Sequence, residues 1–600
     1  MADETTKTPA HELVAGIVED ALKAAADEAA AAPQPPQPTG EDEAGPDDDP
    51  SDQGPDPQNV DWDVVRACAD EPETDIGNAR RFLKRHGETV LSIEGLGWAV
   101  HDARRWAIDY FESEVRPLAH HTVELIRLEA AVLEPRASEI EDIDAADATF
   151  TEMRNLRKKG KARSEAEELR LLELDRIADR AAFAKAAISS RRSQRMRYGK
   201  TSSSSGKMDN MLKEARVYRS RPVRVLDAEP MALNLQNGTL RLVKHGTGDD
   251  ARWKPVLGQH RKDDLISKLC EVEWDIKATA PEFHRFLIRI IPDDKVRAFL
   301  QRYLGYCITA LTTEQVFAFF YGAGRNGKST LVDVVCRILG DYSTTVPFET
   351  LAGDDRRKGS EATPDLVRVP GARLVRASEP EAGMKFRESM VKSLTSGEPI
   401  LIRRMREEFI EVYPTFKLVI SGNHRPDIRG GDEGIWRRVL LVPFTVQIPK
   451  TEIDRGLPEK LWAERAGILN WLVDGACNYL AGGLEVPPAV RAATDDYREQ
   501  SDPYSAFLTG ACDITKEDFD TATPGELYEA FVKFCKGQGF YPVGISTFNK
   551  ALPERTALFG FNKAKSMGLS LYRGIRVRDE FKTGHGAGPS GTPEEGDYGR

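Results

Sequence analysis

One stretch constrains this chain more than any other: Phe317-Ala-Phe-Phe-Tyr-Gly-Ala-Gly-Arg-Asn-Gly-Lys-Ser-Thr-Leu331. It reads as a short buried strand, a Gly-rich turn and a helix that begins near Lys328 and carries Val332, Val335 and Ile338. Inside it stands the pattern G-x-x-x-x-G-K-S, formed by Gly322, Ala323, Gly324, Arg325, Asn326, Gly327, Lys328 and Ser329, with Thr330 next. A strand before this pattern and a helix after it are the context in which it serves as a phosphate loop. Gly322, Gly324 and Gly327 let successive backbone N–H groups turn inward around phosphate oxygens, and the helix N-terminus adds partial positive charge. Lys328 is expected to reach the β- and γ-phosphates, and the Ser329 hydroxyl to take a place on Mg²⁺. A nucleotide with its metal is the expected ligand.

Length adds a prior of three or four domains for 600 residues. No run of about 18 apolar residues is present, so no membrane span is expected. The N-terminus lacks the basic start, apolar core and small-residue cleavage site of an export signal. Seven scattered cysteines include no C-x-x-C pair, which argues against a zinc site and fits a reducing cytoplasm. The net charge of −12 is concentrated at one end: residues 1–58 hold 15 acidic residues and 2 lysines, so the remainder is close to neutral.

Residues 1–58 are rich in Ala, Pro, Asp and Glu and are expected to be a disordered acidic tail, with residues 11–32 a short helix at most. Residues 59–215 read as a mostly helical region: a helix at 79–85, a strand at 90–93, an aromatic segment around Trp98 and Trp106, then long charged helices with heptad-like Leu169, Leu172 and Ile177. Residues 154–163 and 191–207 are basic; such stretches attract phosphate backbones, and solvated helix faces have the same composition. Residues 216–312 form a small mixed unit, with strands expected at 223–226 and 235–242 around an Asn-Gly turn, then helix over 281–309. Between 313 and 450, strands at 317–321, 373–377, 416–421 and 439–443 alternate with helices, which predicts an α/β core with a mainly parallel sheet. A hairpin is expected from 400–404 and 409–413. Residues 451–499 are helical, 500–580 suit a C-terminal winged-helix-like domain, and 581–600 are expected to be a disordered tail.

Residues downstream of the loop narrow its use. Glu379 and Glu381 lie just past the apolar strand at 373–377, where a sheet presents carboxylates to a metal and to an attacking water. Acids that begin a surface loop have the same pattern. Asn423 ends another apolar strand and can sense a γ-phosphate, though Gly-Asn is also an ordinary turn. Arg437 and Arg438 stand further on, and an arginine reaching a neighbour's site can stabilise transition-state charge.

Residues 322–330, 373–381, 392–398, 417–423 and 436–438 together resemble the successive motifs of superfamily 3 helicases, in particular the phage/plasmid primase–helicase family related to poxvirus nucleoside triphosphatases. The resemblance is strongest over 315–445 and extends loosely over about 78–580, including Trp471, the Tyr497-Arg498 pair and Asp502. It implies an AAA+-like P-loop motor that uses ATP and Mg²⁺, assembles as a homo-hexameric ring and translocates 3′→5′ on single-stranded DNA at forks, in the cytoplasm of a bacterial host. Carried over residue by residue, it puts Lys328 and Ser329 on phosphate and Mg²⁺ and Glu379 and Glu381 on metal and water. Asn423 becomes the sensor and Arg437 or Arg438 the finger. It also puts Arg403, Arg404 and Arg406, at the hairpin tip, on the DNA backbone.

The acids read Glu-Pro-Glu, with no Asp, so which one approaches Mg²⁺ stays open. A primase would need a rigid pair of metal-binding acids; the nearest counterpart, Glu141-Asp-Ile-Asp144, sits in a charged helical stretch. The alternatives to a replicative helicase are a bifunctional primase–helicase and an origin-binding initiator or loader that uses ATP for assembly. The acidic tail is a candidate contact for other replication proteins.

Overall fold

The computed structural model of the chain describes residues 60–582 apart from 248–250, 354–362, 378–379, 381–383, 404–408, 429–432, 539–541 and 567. The readings for the acidic tail, for the last residues beyond 582 and for Glu379, Glu381, Arg404 and Arg406 therefore lie outside the described residues. The chain is a mixed α/β protein that divides into two compact units, meeting in sequence at Val225 and Leu226. Among the described residues no helix is long and apolar enough to cross a membrane.

The first unit opens with α1 (Trp62–Ala69) and α2 (Asp75–His86), each started by a capping side chain, Asp61 and Thr74. A meander comes next: β1 (Val90–Ile93), β2 (Gly97–His101) and β3 (Trp106–Asp109) pair antiparallel. The Asp109 carboxylate turns the chain into α3 (Val115–Val132) by accepting from the N–H groups of Ser113, Glu114 and Val115. Two long helices, α4 (Ala137–Lys159) and α5 (Glu165–Ser202), then α6 (Ser205–Arg219) and β4 (Ser220–Arg221), complete the unit, with β4 parallel to β1. Phe82, Trp98, Ile126 and Met211 are among the residues of its core.

Two expectations change here. Leu169 and Leu172 are 61% and 59% exposed, while Leu174, Ala181 and Ala184 are buried. Ion pairs tie α4 to α5 instead of a leucine seam: Arg157–Asp175, Arg170–Glu152 and Arg191–Glu139. Part of the basic character is engaged in such pairs, and Arg195 also binds Glu73 and the fully buried Glu129. The Glu141-Asp-Ile-Asp144 pair lies on α4, where Asp142 faces Arg180. Residues 223–225 form a 3₁₀ turn closed by Val225 N–H on Pro222 O, because β1 has already taken 220–221 as its partner.

The second unit starts with an antiparallel sheet of β5 (Ala232–Leu235), β6 (Gly238–His245) and β7 (Arg252–Gly258), the first two joined by a tight turn at Gln236–Asn237. α7 (Pro281–Ile290) and α8 (Asp294–Tyr306) lead to the central sheet. That sheet contains β8 (Phe317–Tyr321), β9 (Ser343–Val346), β10 (Leu374–Ala377), β13 (Lys417–Gly422) and β14 (Val439–Pro443), all parallel, in the spatial order β14-β8-β13-β10-β9. Its inner strands are nearly continuous apolar runs, as burial on both faces requires. Tyr303 of α8 fixes the sheet from one side: its hydroxyl accepts from Ala318 N–H and donates to Leu418 O, 2.9 Å each, bridging β8 and β13.

α9 (Lys328–Leu339) follows β8, and α10 (Glu388–Thr395) precedes a hairpin of β11 (Ile400–Ile402) and β12 (Ile410–Val412). After the short α11 (Glu433–Trp436) and β14 come α12 (Leu457–Ala463), α13 (Arg465–Gly482) and α14 (Pro488–Ser501). The C-terminal part has its own core around Phe507, Phe531 and Phe548. It comprises α15 (Pro503–Ala511), β15 (Cys512–Ile514), β16 (Thr521–Ala522), α16 (Pro524–Gln538), α17 (Ile545–Phe559), β17 (Asn562–Ser566), β18 (Leu569–Arg573) and β19 (Ile575–Val577). β17 and β18 form an antiparallel ribbon directly after α17.

Candidate functional site

At the C-terminal ends of β8, β10 and β13 lies an open pocket of about 520 Å³, bounded by loop and helix residues 324–330 on one side. The loop leaves β8 with Gly322 N–H on Gly422 O and Gly324 N–H on Gly322 O. Gly324, Arg325 and Gly327 then hold φ of 85°, 49° and 80°. In such a winding successive backbone N–H groups can converge on one anion. Arg325 holds the left-handed conformation against a cost of about 1–2 kcal/mol. Gly322 and Gly327 are required by packing as well: a Cβ would lie 2.3 Å from Phe444 O at the first and 2.5 Å from Ile290 Cγ2 at the second.

Lys328, only 5% exposed, folds back over the loop. Its Nζ donates to Gly322 O at 2.7 Å, Asn326 Oδ1 at 3.2 Å and Asn423 Oδ1 at 3.1 Å. Asn326 in turn donates to Phe444 O. Ser329 and Thr330 line the pocket beside Lys328. Ala377, the last residue of β10, also lines it, so the strand that leads to Glu379 and Glu381 ends at this pocket, the acids themselves lying outside the described residues.

Arg437 and Arg438 are elsewhere. They precede β14, whose Val439 pairs with Phe317, so they sit at the opposite end of the sheet from the loop. The five residues of β8 separate the two ends by roughly 15 Å. Arg437 is exposed, whereas Arg438 is 7% exposed and donates to Gly434 O at 2.5 Å. Arg403 follows β11; its backbone exchanges hydrogen bonds with Thr363, and its guanidinium lies 4.6 Å from the Phe409 ring centroid.

The pocket also gathers residues that sequence reasoning did not single out. Thr345 of β9, Arg376 of β10 and Val419 of β13 occupy one row across the strands. Arg376 donates to Thr345 Oγ1 at 2.7 Å and pairs with Asp333 of α9. Ser421 lies between Val419 and Asn423 on the same face of β13. The period-2 alternation of a strand ending in Asn423 was the signal that could have found it. Beyond Asn423, Tyr497 of α14 donates to Pro426 O and packs edge-on against Trp436, so α14 touches both the Asn423 loop and the arginine segment.

The fold and this pocket define a mixed α/β protein whose parallel sheet carries its polar site on the loops after β8 and β13 and at the end of β10. Residues 79–292 match the family described as D5 N terminal like, and residues 320–438 match a family described as being of unknown function. Among curated proteins, "Putative helicase L207/L206" of Acanthamoeba polyphaga mimivirus is 29% identical over 268 residues, 41% of this chain and 28% of the relative. "Putative helicase 022R" of Frog virus 3 is 27% identical over 316 residues, 50% of this chain and 32% of the relative. "Putative primase C962R" of African swine fever virus is 21% identical over 238 residues, 37% and 25% of the two chains. The matches thus span about a third or less of these relatives' length. The solved apo structure of the NrS-1 C terminal region is 14% identical with a TM-score of 0.33, covering 50% of this chain and 76% of that one. The two matched families and the helicase and primase names of these relatives are consistent with the resemblance to the primase–helicase family.

Proposed function

We propose that this protein is an ATP-dependent replicative DNA helicase of a phage, prophage or plasmid, acting as a homo-hexameric ring. The observation that carries the reading is the meeting of Lys328 and Asn423 at one pocket, on a left-handed Gly-rich loop at the C-terminal edge of a parallel sheet. In this reading residues 322–330 cradle the phosphates of ATP, Ser329 and one of Glu379 and Glu381 hold Mg²⁺, and the other acid polarises water. Mg²⁺ held there by Ser329 and an acid would supply neutralisation of phosphate charge. Asn423 ties the state of the γ-phosphate to Lys328.

The strand order β14-β8-β13-β10-β9 favours an AAA+-like motor. The distance of Arg437 from its own loop favours action on a neighbouring copy, and a head-to-tail ring supplies that neighbour. Of the two arginines, exposed Arg437 is the finger and buried Arg438 its support. In this reading Arg403, Arg404 and Arg406, which lie between β11 and β12 in sequence, are the residues that take the DNA backbone in the ring channel. The order α15, α16, α17 and the β17–β18 ribbon suits a winged-helix-like DNA-binding domain, and α14 links it to the arginine segment.

The test is strand displacement on forked DNA of both polarities. The expected result is DNA-stimulated ATP hydrolysis and 3′→5′ unwinding, both lost in Lys328→Ala. Vigorous hydrolysis indifferent to DNA, with no unwinding, overturns the proposal.

A further inference from the structure

One residue of the pocket wall carries a polar atom that the protein leaves unsatisfied. Ser421 Oγ is shut away from solvent and has no hydrogen-bond partner, although Ser421 lines the pocket. Burying an unpaired hydroxyl is costly, and an orphan of this kind in a native fold calls for a missing partner.

Its position says which partner. Residues 419, 421 and 423 alternate onto the pocket face of β13. The next row back, Thr345, Arg376 and Val419, is already satisfied by its own contacts: Arg376 binds Thr345 and Asp333. The row ahead holds Asn423, whose Oδ1 receives Lys328 Nζ at 3.1 Å. Ser421 therefore stands one alternation, roughly 6–7 Å, back along the strand from the atom that meets the lysine. In the nucleotide reading of this pocket, a phosphate chain cradled at 324–330 would place its far end between Lys328 and this strand.

We propose that Ser421 is the residue by which the pocket distinguishes a nucleoside triphosphate from a diphosphate. Its hydroxyl donates to an oxygen of the terminal phosphate, and a hydroxyl bonded to an ionised acceptor makes one of the stronger classes of hydrogen bond. A diphosphate stops short and leaves Ser421 as unsatisfied as it is in the protein alone. Ser421 thus adds a triphosphate-specific contact to the pair Lys328–Asn423. The inference rests on the reading of this pocket as a nucleotide site.

Calorimetric titration of the full chain with Mg²⁺ and either ADP or a non-hydrolysable ATP analogue tests it. Ser421→Ala is expected to weaken binding of the triphosphate analogue about tenfold or more, with ADP affinity within about twofold of wild type. Ser421→Thr, which keeps the hydroxyl, is expected to restore the discrimination. Equal loss for both nucleotides, or no loss for either, overturns the inference while leaving nucleotide binding standing. A wild-type chain that binds neither nucleotide overturns both.

Discussion

Lys328 Nζ lies 3.1 Å from Asn423 Oδ1, and that contact joins the loop after β8 to the loop after β13 across the mouth of the pocket. The two strands are hydrogen-bonded neighbours in the sheet, so the link holds two adjacent strand ends at a fixed separation. A phosphate entering between them has to compete with Asn423 for the ammonium group. The two residues should then fail differently. In the proposed reading Lys328→Ala removes the charge that would hold the phosphates, and hydrogen bonds to charged groups contribute about 1.5–3 kcal/mol. The expected result is a loss of ATP affinity of about 10- to 100-fold or more, with no measurable hydrolysis. Asn423→Ala is expected to keep most of the affinity and lose about 10- to 100-fold in turnover. Binding by calorimetry and hydrolysis by phosphate release separate the two; wild-type turnover in Asn423→Ala would sink the sensor role.

The two arginines before β14 make a second pair of opposites. Arg438 is buried and donates to Gly434 O, so Arg438→Ala should destabilise the central sheet by about 1–3 kcal/mol, read as a lower melting temperature. Exposed Arg437 should leave melting unchanged when replaced, while hydrolysis falls by about 10³-fold or more if it acts as a finger. Mixing Lys328→Ala with Arg437→Ala subunits should recover part of the activity, because some interfaces then pair an intact loop with an intact arginine. Activity of the mixture no greater than the sum of the two variants argues against a shared site.

The sequence made the site's scaffold readable where burial is two-sided. The runs Phe317–Tyr321 and Val439–Pro443 are apolar throughout, and both are strands with those limits. β9 was missed because Ser343-Thr-Thr-Val is short and polar; only its place beside β10 makes it a strand. The α4–α5 hairpin defeated periodicity for a different reason. Charged side chains from both helices make many of its contacts, so the leucines at 169 and 172 mark no seam. The loop was legible from its glycines. That Gly322 is needed against Phe444 and Gly327 against Ile290 was not, since those partners lie far away in sequence.

Lys417, at the start of β13, gives a pH prediction for the same sheet. It is 2% exposed, and its Nζ donates to the carbonyls of Thr309, Leu311 and Thr415 and lies 4.6 Å from the centroid of the Tyr306 ring. Burial lowers its pKa from 10.5 to about 7, opposed by nearby Cys307 and assisted by Arg373. Between those two pKa values the unfolded chain binds a proton that the folded chain does not, so stability rises with pH. Below about pH 7 both states are protonated and the penalty is fully present. Lys417→Met abolishes this dependence. Denaturant titrations at pH 7 and pH 9 should show wild type gaining about 2–3 kcal/mol relative to Lys417→Met. A constant difference between the two proteins at both pH values would mean the amine stays charged in the fold.

In the first unit the decisive charge is Glu129. Its carboxylate is fully buried and receives Arg81 Nε at 2.9 and 3.0 Å, with Arg195 bonded to one oxygen and Arg85 at 3.8 Å. Arg81 also donates to the carbonyls of Glu71 and Pro72, so the carboxylate orients the guanidinium that pins the segment between α1 and α2. Glu129→Ala strands these guanidinium groups in a dry interior, which should cost about 3–5 kcal/mol. The exposed pair Arg157–Asp175, with side chains 58% and 40% exposed, should be silent when broken. Because the chain has two units, a single melting curve would blur the effect. Hydrogen exchange resolves it: amides of α2 and α3 should exchange about 100-fold faster or more in Glu129→Ala, while those of β8 and α9 keep their wild-type protection. Equal acceleration in both places would mean that the buried carboxylate supports the whole chain and not the unit that encloses it.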